Sequence, residues 1–235
     1  MQTTTRGRRR ATPKRSPVAS AVGVIGELLL TAGVLVLLFV VYTLWGTGIQ
    51  TAAAQDDLAD QTQSWGQPGT AEKAPALAPA ETPIGDAYAV MRIPRFGAEW
   101  EYVVVQGVED EDLKNGPGHY LDTANPGELG NFAIAAHRSG HGEPFAQFPE
   151  LRAGDTVEIR TSQGTFVYEL TDAPDGNSDG NKIDIDDSWV VDPVPGGATA
   201  AEPTARLITL TTCWPRFGSS HRMYATGVLV EGEEL

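Results

Sequence analysis

A thiol, an imidazole and a fixed cation are enough for acyl transfer. The thiolate attacks an amide carbonyl, the imidazolium protonates the departing amine, and the cation or another donor stabilises the oxyanion. The chain has one thiol, Cys213, within Thr-Leu-Thr-Thr-Cys-Trp-Pro-Arg-Phe at 209–217, and four imidazoles, His119, His137, His141 and His221. With reference pKa values near 8.5 and 6.5, only a few per cent of a free thiol is ionised at pH 7. Such a site therefore shifts those values or runs on a minor ion pair that titrates as a coupled unit. The competing reading of a lone cysteine is an inert, buried filler.

Period-two alternation sorts strand residues by face. Around Cys213, residues Thr209, Thr211 and Cys213 share one face while Ile208 and Leu210 share the other. In Asn-Phe-Ala-Ile-Ala-Ala-His, 131–137, Ala133, Ala135 and His137 oppose Phe132 and Ile134. Arg222 opens a third run in phase with Tyr224 and Thr226. Cys213, His137 and Arg222 thus each stand at a strand end, on a face of small or polar neighbours suited to a shallow groove. His221, beside Arg222, is the second choice of imidazole, and Arg216 reads as a solvated charge on the turn after Pro215.

The elements that must position these residues are short strands. From Ile84 onward, β-branched or alternating runs recur between Gly, Pro, Asp and Asn clusters, and Thr-Ser-Gln-Gly-Thr-Phe at 161–166 reads as a hairpin turn. Helical patterning is confined to the stretches at 107–116 and 142–151. The expected fold is an all-β barrel or sandwich over 84–235.

Charge divides the chain differently. Six basic residues and no acid occupy 1–16, whereas the part after Trp45 carries eleven basic residues against thirty acids. That acidic body has no positive face for phosphates, which argues against nucleic-acid binding. Between the two lies Leu28–Trp45, 18 residues without a charge, spanning roughly 27 Å as a helix. It reads as a membrane anchor over 20–45, with Glu27 at the inner edge, a basic cytoplasmic tail at 1–19, and Tyr42 and Trp45 in the outer aromatic belt. A cleaved secretory signal is the alternative, given the Ala-x-Ala-like site at 51–55. Either way the body is extracytoplasmic, where an unpaired thiol stands out as reactive. Residues 46–83, rich in Ala, Gln, Thr, Pro and Asp, have the composition of a linker, with room for a short helix at 52–65.

The Thr-Leu-Thr-Thr-Cys motif, Arg222 nine residues later and the strand-terminal His137 upstream resemble the sortase signature. The stretches Met-Arg-Ile-Pro-Arg-Phe-Gly, 113–155 and 209–217 are similar to actinobacterial class E housekeeping sortases, over 84–235 apart from the segment after Leu170. The resemblance implies a closed eight-stranded β-barrel with one or two short helices, behind a single transmembrane helix. It implies a cysteine transpeptidase that cleaves a C-terminal sorting motif between Thr and Gly and passes the acyl group to an amine of the lipid-linked peptidoglycan precursor. Surface proteins bearing that signal and the precursor would be its partners, and no cofactor would be required. By position, Cys213 would be the nucleophile, His137 the acid/base, Arg222 the oxyanion or backbone contact and Thr212 a supporting groove residue. Tyr120 matches a groove tyrosine linked to a Leu-Ala-x-Thr-Gly rather than Leu-Pro-x-Thr-Gly preference. Trp214 departs from the smaller or polar residue usual beside the cysteine, and would cover or narrow the groove. A pilin-polymerising sortase, using a lysine nucleophile, is the alternative within the class.

Inside the insertion at 171–187, Asp175–Asp186 fits the calcium-loop pattern D-x-N-x-D-G-x5-D. Asp175, Asn177, Asp179 and Asp186 would give side-chain oxygens and Asn181 a carbonyl, with Gly180 at the turn. The simpler reading is a solvated turn. Calcium here would order a lid, or, with an inert thiol, the chain would be a non-enzymatic calcium-binding surface module.

Overall fold

The computed structural model describes residues 17–63, 65, 81–196 and 202–234. The basic residues of 1–16 and the side chain of Trp45, on which the orientation reading leans, lie outside them. The chain forms two units, Met1–Tyr42 and Thr43–Leu235. The first contains helix α1, Pro17–Val41, within which Ala21–Val41 has a mean hydropathy of 2.7 and no buried side chains. Its 21 residues are long and apolar enough to cross a membrane.

In the second unit helix α2, Thr47–Thr62, precedes the strands β1 (Ala87–Arg92), β2 (Glu101–Gln106), β3 (Gly118–His119), β4 (Gly130–Ala135), β5 (Thr156–Arg160), β6 (Gly164–Asp172), β7 (Lys182–Asp184), β8 (Arg206–Trp214) and β9 (His221–Glu234). A one-turn helix α3, Asp110–Leu113, lies between β2 and β3. The strands pair in the order β6-β5-β1-β2-β3-β4-β8-β9, and a β6–β9 ladder closes the ring, giving the expected eight-stranded barrel. The ninth strand, β7, continues the β6 edge by pairing with the first residues of the long β9. Closure removes the exposed strand edges that would otherwise invite pairing with another chain. Where β3 is squeezed beside β2, Gly118 is required, because a Cβ there would collide with the Gly107 carbonyl.

The interior is filled by one set of alternate positions, among them Tyr88, Met91, Phe132, Ile134, Ile159, Tyr168, Ile208, Leu210 and Met223. A second apolar cluster lies outside the ring, where Leu58 of α2 and Trp65 cover Ala87, Val90, Val103 and Val105. The first part of the stretch expected as a linker is therefore a helix packed on the barrel. Its buried face, Thr51, Gln55, Leu58 and Thr62, has helical spacing but only one large apolar side chain, so composition hid it. Polar anchoring replaces area: the Gln55 amide accepts from Val103 N (2.8 Å) and donates to Val103 O (2.9 Å) and Asn115 O (2.7 Å), and the Thr51 hydroxyl donates to Lys114 O (2.7 Å).

His119, 1% exposed, stacks on Tyr88 with ring centroids 4.3 Å apart and lies 2.8 Å from Gln106 Oε1 and 3.0 Å from Thr123 Oγ1. This is a structural histidine. Burial lowers its pKa from 6.5 to about 4, against a smaller opposing effect of the Ala124 carbonyl. As pH falls below 6.5 the unfolded chain takes up the proton first, so the stability this group contributes is complete above that pH and is lost as pH drops through about 4. The loss amounts to roughly 3 kcal/mol. Urea midpoints measured at pH 7 and pH 4.5 should fall with acidification, and the fall should be smaller in His119→Gln.

Candidate active site

Strands β8 and β9 pair Cys213 with Arg222, and β4, the other neighbour of β8, leads into His137. Antiparallel pairing of β8 with β9 sets Cys213 directly opposite Arg222. Parallel pairing of β4 with β8 aligns Ala135 with Thr211, and Ala136 N continues it by donating to Thr211 O at 3.1 Å. His137 follows two residues after the end of β4, beyond the last β4–β8 pair. Arg222 Nη1 lies 3.4 Å from Cys213 Sγ, within reach of a charge-assisted contact to sulfur. His137, Cys213 and Arg222 are each half-buried, whereas Ala135, Thr211 and Thr212 beside them are buried.

The alternation expected from sequence holds. Leu210 and Met223 point into the barrel core, whereas Cys213, Thr211 and Thr209 face outward with Ala133 and Ala135. That outer face is nevertheless buried below Cys213. Asn131 Nδ2 donates to Val190 O (2.9 Å) and Asp192 O (3.0 Å), and Trp189 meets Tyr224 edge-on at 5.4 Å, so the segment at 189–192 packs over this face. Tyr120 is placed on this floor, its hydroxyl 3.1 Å from Thr211 Oγ1, two residues before the thiol.

Thr212 corrects the expectation of a groove-lining hydroxyl. Alternation turns it inward, where it is 2% exposed and donates to Ala136 O at 2.8 Å. It braces the residue that precedes His137, and Thr211 is the hydroxyl that shares the face of Cys213. Trp214 is likewise turned away from the thiol. Its indole N–H donates to Ser178 O at 2.8 Å, Lys182 Nζ sits 3.7 Å above its ring, and His221 meets it edge-on. It ties down the loop between β6 and β7.

The five residues of the expected calcium loop are not brought together. Asp175 faces Arg152 at 3.7 Å, Asp179 pairs with Lys182 at 3.1 Å, and the Asn181 amide donates to Asp172 Oδ1 at 3.0 Å. The Asn181 carbonyl accepts Tyr224 N at 2.9 Å, and pairing of β7 with β9 carries Asp186 away from the others. Among the described residues no three His, Cys, Asp or Glu side chains are grouped as a metal site. Backbone bonds from Asp175 N to Leu151 O and from Gly176 N to Pro149 O order the loop instead.

Two contacts were invisible to sequence reasoning. His141 stacks on His137 with centroids 4.8 Å apart. Arg216, read as a solvated charge, pairs with Glu143 at 2.6 Å and so links the turn after Cys213 to the loop after His137. Burial first, then the charge on His141, holds the His137 pKa below the ordinary histidine value, with Asp110 opposing. Arg138, 7% exposed against Met223 Sδ, faces the core and not the groove.

A closed eight-stranded barrel that pairs its one thiol with a guanidinium across adjacent strands, beside the strand that leads into His137, has relatives of known class. Residues 91–230 match the Sortase domain family, and the chain belongs to the sortases, a family of cysteine transpeptidases. It is 34% identical over 232 residues to sortase SrtE1 of Streptomyces coelicolor, covering 95% of this chain and 62% of that protein. To sortase SrtE2 of the same organism it is 32% identical, covering 100% of this chain and 91% of the relative. The solved structure of sortase E from Streptomyces avermitilis superposes with a TM-score of 0.56 and 39% identity, over 65% of this chain and 93% of that one. The similarity is thus to class E.

Proposed function

We propose that the chain is a membrane-anchored transpeptidase that cleaves a C-terminal sorting motif of the Leu-Ala-x-Thr-Gly or Leu-Pro-x-Thr-Gly type and joins the released acyl group to an amine of a cell-wall precursor. The observation that carries this reading is the cross-strand pair of Cys213 and Arg222, with Sγ 3.4 Å from a guanidinium nitrogen, on the strand that neighbours the one leading into His137.

In the proposed sequence, His137 takes the thiol proton as Sγ bonds to the threonine carbonyl carbon. The electron pair moves onto the carbonyl oxygen, whose charge Arg222 stabilises. Collapse breaks the Thr–Gly C–N bond, the proton passes from His137 to the glycine nitrogen, and a thioester remains. The acceptor amine then attacks that carbonyl, gives its proton to His137, and displaces the thiolate, which is reprotonated.

The anchor at Ala21–Val41 supports a membrane location, and the basic residues before it support a cytoplasmic N-terminus with the barrel outside. The domain limits follow: tail 1–19, anchor 20–45, catalytic domain 84–235, with α2 packed on it. The Tyr120–Thr211 hydroxyl pair, at the floor two residues from the thiol, supports a polar subsite for the second motif residue. A peptide panel differing only in Ala or Pro at that position is expected to give higher kcat/KM for Ala. Equal cleavage of both would remove Tyr120 as the selecting group, and cleavage of neither would overturn the reading.

A further inference from the structure

The loop that leaves His137 contains four successive residues in the left-handed region, Gly140 (φ 70), His141 (φ 49), Gly142 (φ 72) and Glu143 (φ 50). For the two non-glycine residues this conformation is strained and persists only where surroundings over-determine it. The loop starts and returns at the same residue, since Phe145 N donates to His137 O at 3.0 Å, and His141 stacks on the His137 ring. Whatever holds the turn therefore holds His137.

Three groups hold it. Tyr102 donates its hydroxyl to Gly142 O at 3.3 Å, and Glu143 accepts from Gly140 N and from Arg216. The third is Thr47, in the first turn of α2. Its own proton goes to Thr43 O at 3.0 Å, which leaves an oxygen lone pair to accept His141 N at 3.1 Å. That amide belongs to one of the strained residues. The approach is close: a Cβ on Gly142 would stand 3.3 Å from the Thr51 methyl. Helix α2 is itself fixed to the barrel by Thr51, Gln55 and Leu58.

We infer that α2 is part of the catalytic apparatus: Thr47 is a positioning residue that fixes the left-handed turn, and through the His141 stack keeps the His137 imidazole in register with Cys213. The inference rests on the transpeptidase reading for its effect on rate, but the hold on the turn is testable without turnover.

The full chain in detergent micelles, as wild type, Thr47→Val and Thr47→Ser, serves both purposes. Valine keeps the branched shape and removes the acceptor, whereas serine keeps it. Thr47→Val is expected to speed amide hydrogen exchange in peptides spanning 139–145 while core peptides stay protected, and to lower kcat about tenfold with KM changed by less than about twofold. Thr47→Ser should restore both. Unchanged exchange in Thr47→Val, unchanged kcat despite faster exchange, or failure of serine to rescue would each overturn the inference. A wild-type chain that cleaves no sorting peptide would count against the transpeptidase reading alone, and the exchange rates would still decide whether Thr47 holds the turn.

Discussion

Cys213→Ala is expected to abolish cleavage of any sorting peptide, a fall of at least roughly 10⁴-fold in kcat/KM, while leaving the melting temperature within a few degrees of wild type. The chain contains a single thiol, so no second nucleophile can take over. Its side chain points out of the barrel, away from Leu210 and Met223, so truncation opens no core cavity. The two halves of the prediction separate the transpeptidase from the inert-thiol alternative. A structural cysteine would lose stability and leave cleavage intact. Native-state labelling with a methanethiosulfonate reagent gives an independent check: the half-buried thiol beside a guanidinium should react, and reaction should block turnover. Full cleavage by Cys213→Ala would end the proposed mechanism.

Arg222→Ala should cost about 10² to 10³ in kcat with a much smaller change in KM, the signature of a group whose contact strengthens as the oxyanion forms. Arg222 is held by the Cys213 cross-strand register, so the guanidinium is preorganised and pays little reorganisation on reaction. Neighbouring cations are engaged elsewhere: Arg216 pairs with Glu143 at 2.6 Å, and Arg138 is buried against Met223. Arg222→Lys should recover only part of the loss, because an ammonium lacks the planar fork that meets two acceptors at once. Steady-state kinetics with one cleavable peptide measure both variants, and a melting curve excludes unfolding. A rise confined to KM would instead make Arg222 a ground-state contact to the substrate backbone.

The strands and the faces of their residues were legible because both depend on local pattern. Alternation is fixed by backbone pleat, so Cys213, Thr211 and Thr209 share a face wherever that strand lies. The same rule already separates Thr212 from them, and the structure gives it the inward role of holding Ala136 O, contrary to its expected place in the groove. The acidic loop shows the limit of spacing for a related reason. Calcium-loop spacing specifies ligand types, but whether oxygens converge depends on where the chain goes next, and here β7 pairs with β9 and spends the Asn181 carbonyl on Tyr224.

Helix α2 shows the opposite failure. Its docking face is Thr51, Gln55, Leu58 and Thr62, and a polar face has no hydrophobic periodicity to read. The signal lay in its partner: Val103, Val104 and Val105 form an unbroken apolar run, which means cover on both faces of β2, but not what supplies the cover.

The sequence by itself determined the strand faces, the uncharged span at 28–45 and the identity of the thiol, because each follows from backbone geometry or composition within a few residues. Only the tertiary structure decided that Cys213 meets Arg222 at 3.4 Å, that Arg216 answers Glu143, and that Thr47 reaches His141 across 94 residues. Those contacts join segments distant in the chain, and their register is set by which strands and helices pack together, a property that no local pattern encodes.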